Sequence, residues 1–281
     1  MGDETAPVEA LIRTETGRAG LAAVLDDPSG AVIGLDFDGT LSPIVPDPAS
    51  ARIHPEAPAA LVRLGELVRA VVIVTGRPPL QALALGEAPG GPALADVPGL
   101  VVLGHYGLER WEGGDVTAPP PPPGLDRVRA ELPSITRAFD GVLIEDKGRA
   151  VAVHTRRASD PEGALLALGE PVAKLAAASG LIVEPGRLVL ELRPPGMDKG
   201  QALRAFLAER SARSVMFFGD DLGDIAAFDA VATSGLPGVR VCSGSAEVTR
   251  LVEHADAVVD GPEGVVRLLR SLVATISPAG A

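Results

Sequence analysis

Cysteine is almost absent: Cys242 stands alone in a chain of 281 residues, which excludes an internal disulfide and a metal site built from several thiolates. By itself it reads as a small buried hydrophobe. Basic charge is also in deficit, with 25 Lys and Arg against 37 Asp and Glu. The resulting net charge of −12 repels phosphate backbones at long range and argues against nucleic acid as a partner. The same field opposes a phosphorylated ligand unless a local cation and a metal reverse it. No apolar run approaches the roughly 20 residues that a membrane span needs, so no membrane partner is expected. The start Met1-Gly2-Asp3-Glu4-Thr5 lacks the basic and then apolar pattern of a secretory signal, and a cytoplasmic protein is expected. Hydrophobic residues, at 46%, are plentiful, in a chain about as long as a single core can grow. A soluble globular protein of two unequal domains follows.

Leu11, Leu21 and Leu25 mark a leading helical segment over residues 1–30. Ala31 to Leu35 is a short apolar run ending in acids. Leu61, Leu64, Leu67 and Val68 then recur at helical spacing behind Pro55, and Ala70 to Val74 is continuous and mostly β-branched, as in a parallel strand buried on both faces. Strand, helix and strand suggest a right-handed crossover. The alternation returns with a helix over 199–209, a strand over 215–218, a helix near 224–230, strands over 239–241 and 257–259, and a last helix over 262–276. The fold class expected is α/β, a doubly wound parallel-sheet (Rossmann-like) core.

Between these flanks the pattern changes. Residues 142–145 and 150–154 flank Lys147-Gly148, residues 181–184 and 188–192 flank Pro185-Gly186, and an Ala- and Leu-rich helix over 162–178 separates the two hairpins. This reads as an inserted α+β (ββαββ) cap, entered through a stiff extended segment at prolines 119–123. The expected layout is a core of 31–108 with 196–281, and a cap of 109–195.

Leu35-Asp36-Phe37-Asp38-Gly39-Thr40-Leu41 follows a buried strand, and period-2 geometry puts Asp36 and Asp38 on one face at the sheet edge where open α/β sheets bind ligands. Two carboxylates so close call for a cation or a shared proton. Three more acids, Asp220, Asp221 and Asp224, stand among glycines after another strand. Hard oxygen ligands without clustered cysteine or histidine point to Mg²⁺, with Asp36, Asp38, Asp220, Asp221 and Asp224 as its acids. Thr75-Gly76-Arg77 ends the strand over 70–74 and offers a hydroxyl and backbone N–H groups to phosphoryl oxygens; Lys199 opens a helix, a point charge beside a positive dipole end.

In this order the four pieces resemble the motifs of the haloacid dehalogenase (HAD) superfamily, from Ala31 onward. The resemblance implies Asp36 as nucleophile, Asp38 as acid and base, Thr75 and Lys199 as phosphate binders, and Asp220 and Asp224 beside the metal. Thirty-six residues separate Asp38 from Thr75 and 123 separate Thr75 from Lys199, so the cap is inserted at the second position. Such members commonly handle sugar phosphates.

Period 2 also gives the cap a charged face: Glu191 with Arg193, Glu145 with Lys147, and His154 with Arg156, opposite Leu188, Leu190 and Leu192. That face either grips sugar hydroxyls or is the solvated side of a sheet. The strings Gly104-His105-Tyr106-Gly107-Leu108-Glu109, Glu145-Asp146-Lys147-Gly148, His154-Thr155-Arg156 and 191–200 resemble trehalose-6-phosphate phosphatases. By that resemblance His105, Gly107, Glu145, Lys147 and Glu191 contact the sugar. Gly223 and Ile225 depart from that pattern, and Tyr106 reads as an insertion into it. Phosphatases for sucrose 6-phosphate or a glycosyl phosphoglycerate, and a non-catalytic regulator that binds a sugar phosphate, remain open alternatives. The oligomeric state is not legible.

Overall fold

A computed structural model describes residues 8–186, 188–196, 198–244 and 249–277. In chain order the elements are α1 (Val8–Leu11), α2 (Glu15–Asp26), β1 (Ala31–Leu35), α3 (Ala57–Gly65), β2 (Ala70–Val74), α4 (Pro79–Leu85), β3 (Leu100–Gly104), β4 (Glu109–Glu112) and β5 (Asp115–Thr117). There follow α5 (Gly124–Thr136), β6 (Leu143–Asp146), β7 (Val151–His154), α6 (Pro161–Ala178), β8 (Ile182–Gly186) and β9 (Val189–Arg193). The chain ends with α7 (Lys199–Glu209), β10 (Ser214–Gly219), α8 (Ile225–Thr233), β11 (Gly238–Gly244), α9 (Thr249–His254), β12 (Ala257–Asp260) and α10 (Gly261–Ile276). It divides into two compact units, residues 1–118 with 198–281 and residues 119–197. No helix among the described residues is long and apolar enough to cross a membrane.

The larger unit holds one sheet in the order β12-β11-β10-β1-β2-β3-β4-β5, of which the first six strands are parallel. Strands β1, β2, β3 and β10 are nearly uniform apolar runs buried along their length, because both faces are covered. Ile33, Leu35, Val71, Ile73 and Phe218 pack on one side among residues of α2, α3 and α10, while Val32, Val72, Val74 and Phe217 pack on the other against Leu203, Phe206 and Phe228 of α7 and α8. Cys242 is buried in this second cluster, and burial pushes its thiol up to about 11. β1 lies between β10 and β2, with Leu35 opposite Phe218 and Ile73, so the loops after all three strands start side by side.

The boundary of the insertion differs from the expected 108/109. Residues 109–117 add an antiparallel hairpin, β4 and β5, to the edge of the main sheet, with Gly113 and Gly114 at positive φ in the turn and Trp111 buried in the core. Charges at Glu109, Arg110, Glu112 and Asp115 obscure these strands in the sequence, as edge strands often require.

The smaller unit has an antiparallel sheet, β6-β7-β9-β8; β6, β7, α6, β8 and β9 form the expected ββαββ unit, with one further helix, α5, ahead of it. Leu125, Val128 and Leu132 of α5 and Leu168 and Val172 of α6 bury Val151, Val153, Leu190 and Leu192. Pro185 and Gly186, expected in a turn, lie within β8; a proline is tolerated there because β8 is an edge strand.

Candidate active site

β1 gives way to Asp36, whose N–H donates to the Phe218 carbonyl at 2.9 Å and so continues the ladder with β10. The chain then folds sharply: the N–H groups of Leu41 and Ser42 both donate to the Phe37 carbonyl at 2.9 Å, and Gly39 has φ +76°. A Cβ on Gly39 would lie 2.0 Å from an Asp220 carboxylate oxygen, so only glycine lets the two acidic loops meet. Ser243, at the end of β11, donates its hydroxyl to the Gly39 carbonyl at 2.7 Å. On the second loop, one oxygen of Asp224 accepts the N–H groups of Asp220 at 3.0 Å and Asp221 at 3.2 Å. Asp198 caps α7 by accepting from the Gln201 N–H at 2.7 Å, which sets Lys199 in the first turn.

Lys199 Nζ lies 2.8 Å from Asp36 Oδ1 and 2.7 Å from Asp224 Oδ1, with all three side chains buried. Asp36, Asp220 and Asp224 each offer an oxygen within 4.8 Å of the others. One ammonium, on Asp36 and Asp224, thus stands against three carboxylates, which leaves two formal negative charges uncompensated in a buried site. Burial raises the Asp36 pKa to about 6, with Lys199 opposing and Asp221 and Asp38 adding repulsion. Burial, Asp36 and Asp224 push Asp220 to about 10; burial raises Asp224 to about 8 against the pull of Lys199. For Lys199, burial acts to lower the pKa, but Asp224 and Asp36 outweigh it and hold the ammonium charged well above its ordinary range. Among the described residues Asp220 Oδ1 is buried without a hydrogen-bond partner. An all-oxygen donor set, a surplus of two negative charges and an orphaned carboxylate oxygen fit a divalent cation of the Mg²⁺ type.

Two of the acids read as metal ligands sit differently. Asp38 is held by Arg77, and Asp221 is exposed, accepting the Gly223 N–H at 2.8 Å. Neither belongs to the buried triplet. Thr75 is buried at the end of β2 and its Oγ1 accepts the Arg77 N–H at 3.2 Å. His105 is buried with Nε2 3.8 Å from Glu109, whereas Tyr106 is only half-buried and its hydroxyl would lie 2.8 Å from a Cβ on Gly76. His105, Tyr106 and Gly107 have successive positive φ values of 47°, 59° and 95°. Sequence reasoning passed over Ser243 and read Tyr106 only as an insertion. The Gly at 76 was the available signal for the second, since a side chain there would collide with the ring.

In the smaller unit, Glu145, His154, Glu184, Glu191 and Arg193 share the sheet face opposite α5 and α6. Lys147 Nζ lies 2.5 Å from Glu191, His154 Nε2 2.8 Å from Glu145, and Arg193 Nη2 2.7 Å from Glu184. β7 ends at His154, so Arg156 stands in the following turn and the strand alternation does not reach it.

The family model for Trehalose-phosphatase matches residues 34–256, which takes in both acidic loops, Lys199 and the whole smaller unit. The chain belongs to the trehalose-phosphatase family. It is 34% identical over 225 residues to the Sinorhizobium fredii protein named "Probable trehalose-phosphate phosphatase", covering 79% of this chain and 81% of that one. It is 28% identical over 219 residues to the Escherichia coli trehalose-6-phosphate phosphatase, covering 76% and 78%. The C-terminal domain of the C. albicans trehalose-6-phosphate phosphatase shares the fold at TM-score 0.74 and 20% identity, over 95% of this chain and all of that one. A haloacid dehalogenase-like hydrolase from Bacteroides thetaiotaomicron shares it at TM-score 0.62 and 18% identity, over 85% and 98%. A trehalose-phosphatase of this family accordingly has the HAD-type core that the four motifs imply, with Asp36 at the centre of its sheet edge.

Proposed function

We propose that this chain hydrolyses trehalose 6-phosphate to trehalose and phosphate, with Asp36 as the nucleophile. The observation that carries the reading is Asp36 itself: a buried carboxylate on Lys199, within reach of two further acids, in a trehalose-phosphatase chain. Asp36 Oδ attacks phosphorus as the ester P–O bond breaks, and Asp38 gives its proton to the departing sugar oxygen. A water then attacks the aspartyl phosphate and passes a proton to Asp38, which restores both groups. Lys199 orients Asp36 and offsets charge on the phosphoryl oxygens, and the Thr75 hydroxyl and the Gly76 N–H offer them hydrogen bonds. Asp36, Asp220 and Asp224 would hold Mg²⁺, which when bound supplies positive charge beside the phosphoryl group. Lys147 and Glu191 contact the disaccharide, with Glu145, His154 and Arg193 beside them on the same face.

Phosphate release is the test, run in parallel on trehalose 6-phosphate, sucrose 6-phosphate and a glucosyl phosphoglycerate, with Mg²⁺ and with EDTA. The expected result is the highest kcat/KM on trehalose 6-phosphate and loss of turnover in EDTA. An equal or higher value on a rival sugar overturns the substrate, and full turnover in EDTA overturns the metal.

A further inference from the structure

Arg77 follows Thr75 and Gly76 in the loop that reads in the sequence as binding substrate, yet its guanidinium is committed elsewhere. Nε lies 2.7 Å from one oxygen of Asp38 and Nη2 2.6 Å from the other, a two-pronged pair. The arginine is fixed from several directions: its N–H donates to Thr75 Oγ1, its carbonyl accepts the His105 N–H at 3.1 Å, and its guanidinium carbon lies 5.8 Å from the Phe37 ring centre. Gly104 leaves room for that carbonyl, since a Cβ there would approach it to 2.6 Å. The side chain of Arg77 is 9% exposed and that of Asp38 40%, so the cation is the anchored partner and the carboxyl is the one presented outward.

We propose that Arg77 is a positioning residue for Asp38: it holds the carboxyl in the orientation from which a proton passes to the leaving sugar oxygen and is later taken from water. Its part in the reaction runs through Asp38 and not through the substrate phosphate. This rests on the aspartyl-phosphate reading above. In the first half, the O–H of Asp38 breaks as the sugar O–H forms and the P–O bond electrons go to the sugar oxygen. In the second, the water proton returns to Asp38. Only the geometry of that transfer depends on Arg77.

The two roles separate with leaving group. The value of kcat/KM reports steps up to departure of the alcohol, and 4-nitrophenolate departs without a proton whereas a sugar alkoxide does not. Arg77→Gln is expected to lower kcat/KM on trehalose 6-phosphate by about 30-fold or more, and on 4-nitrophenyl phosphate by less than about threefold. Asp38→Asn should show the same selective loss, and adding Arg77→Gln to it should cost less than about threefold more, since the two residues act as one unit. Equal losses on both substrates, or a full further loss in the Asp38→Asn background, would mean that Arg77 acts on the phosphoryl group and overturn the proposal. Should Arg77→Gln melt below the assay temperature, Arg77→Lys reads the same ratio, because a point charge keeps the cation but cannot hold two oxygens. Wild-type preference for another sugar phosphate would overturn the trehalose reading alone; the ratio against 4-nitrophenyl phosphate is then taken with that sugar and keeps its meaning.

Discussion

At the carboxyl ends of β1 and β10 acids outnumber cations, while on the sheet of the smaller unit each acid has a cation or histidine of its own. Asp36, Asp220 and Asp224 have one ammonium among them in a buried site, on Asp36 and Asp224, and one oxygen of Asp220 has no hydrogen-bond partner among the described residues. Glu191 has Lys147, Glu145 has His154, and Glu184 has Arg193. A cluster of the first kind is costly to a metal-free fold, because buried charge without compensation is expensive, and apolar side chains of similar volume would serve folding better. It is therefore retained for chemistry. A cluster of the second kind is balanced in charge, although Glu191 Oε1 is buried without a hydrogen-bond partner among the described residues, so a ligand there can add a hydrogen bond as well as exchange others. Substitutions in the first should act on kcat and relieve the fold; substitutions in the second should act on KM.

The harshest way to break this comparison is Asp36→Asn. The amide is nearly isosteric, cannot act as the nucleophile and removes one surplus charge, so kcat should fall by about 10⁴-fold or more while the thermal midpoint without metal holds or rises. Thermal melts beside phosphate-release kinetics check both halves. A variant that keeps activity, or one that loses activity only because it unfolds, ends the distinction.

Next in size is the pH dependence of the metal-free protein. Asp36, Asp224 and Asp220 have folded pKa values raised from 3.8 to about 6, 8 and 10. A raised acid binds its proton more tightly when folded, so its contribution is fully present below pH 3.8 and is lost as pH rises through each folded value. For Asp36 alone the two-unit shift is worth on the order of 3 kcal/mol, or roughly 6–12 °C of midpoint for a unit of this size. In EDTA the midpoint should therefore fall between about pH 5 and about pH 9, and Mg²⁺ should remove most of that slope, because the ion balances the acids once they are ionised. A flat profile in EDTA would mean that the acids are compensated by something other than a metal.

Legibility follows the same division. Asp36, Thr75, Lys199 and Asp220 end strands or open a helix whose uniform apolar or capped sequences mark them plainly, so the core and the converging loops could be read from the residues alone. The hairpin of β4 and β5 could not, because its edge position demands charge where a strand pattern demands hydrophobes. α5 was hidden by Pro133 and by a polar composition that gives it little helical signal. The partner of Asp38 was hidden for a different reason: Arg77 lies beside the phosphate loop in sequence, and only the return of its side chain to the first loop shows what it holds.

The smallest expected effect tests the second half of the comparison. Lys147→Ala alone is a poor probe, because Glu191 is buried and would lose its ammonium, so stability and binding would fall together. The double variant Lys147→Met with Glu191→Gln removes both charges and keeps volume. Its midpoint should stay within about 3 °C of wild type, since a paired buried charge replaced on both sides costs the fold little. If the pair holds sugar hydroxyls in ground state and transition state alike, KM for trehalose 6-phosphate should rise by about tenfold and kcat should change by less than about threefold. KM for 4-nitrophenyl phosphate, which has no sugar to hold, should stay within about twofold. A fall in kcat at constant KM would instead tie this charge-paired cluster to the transition state and erase the contrast with the acids around Lys199.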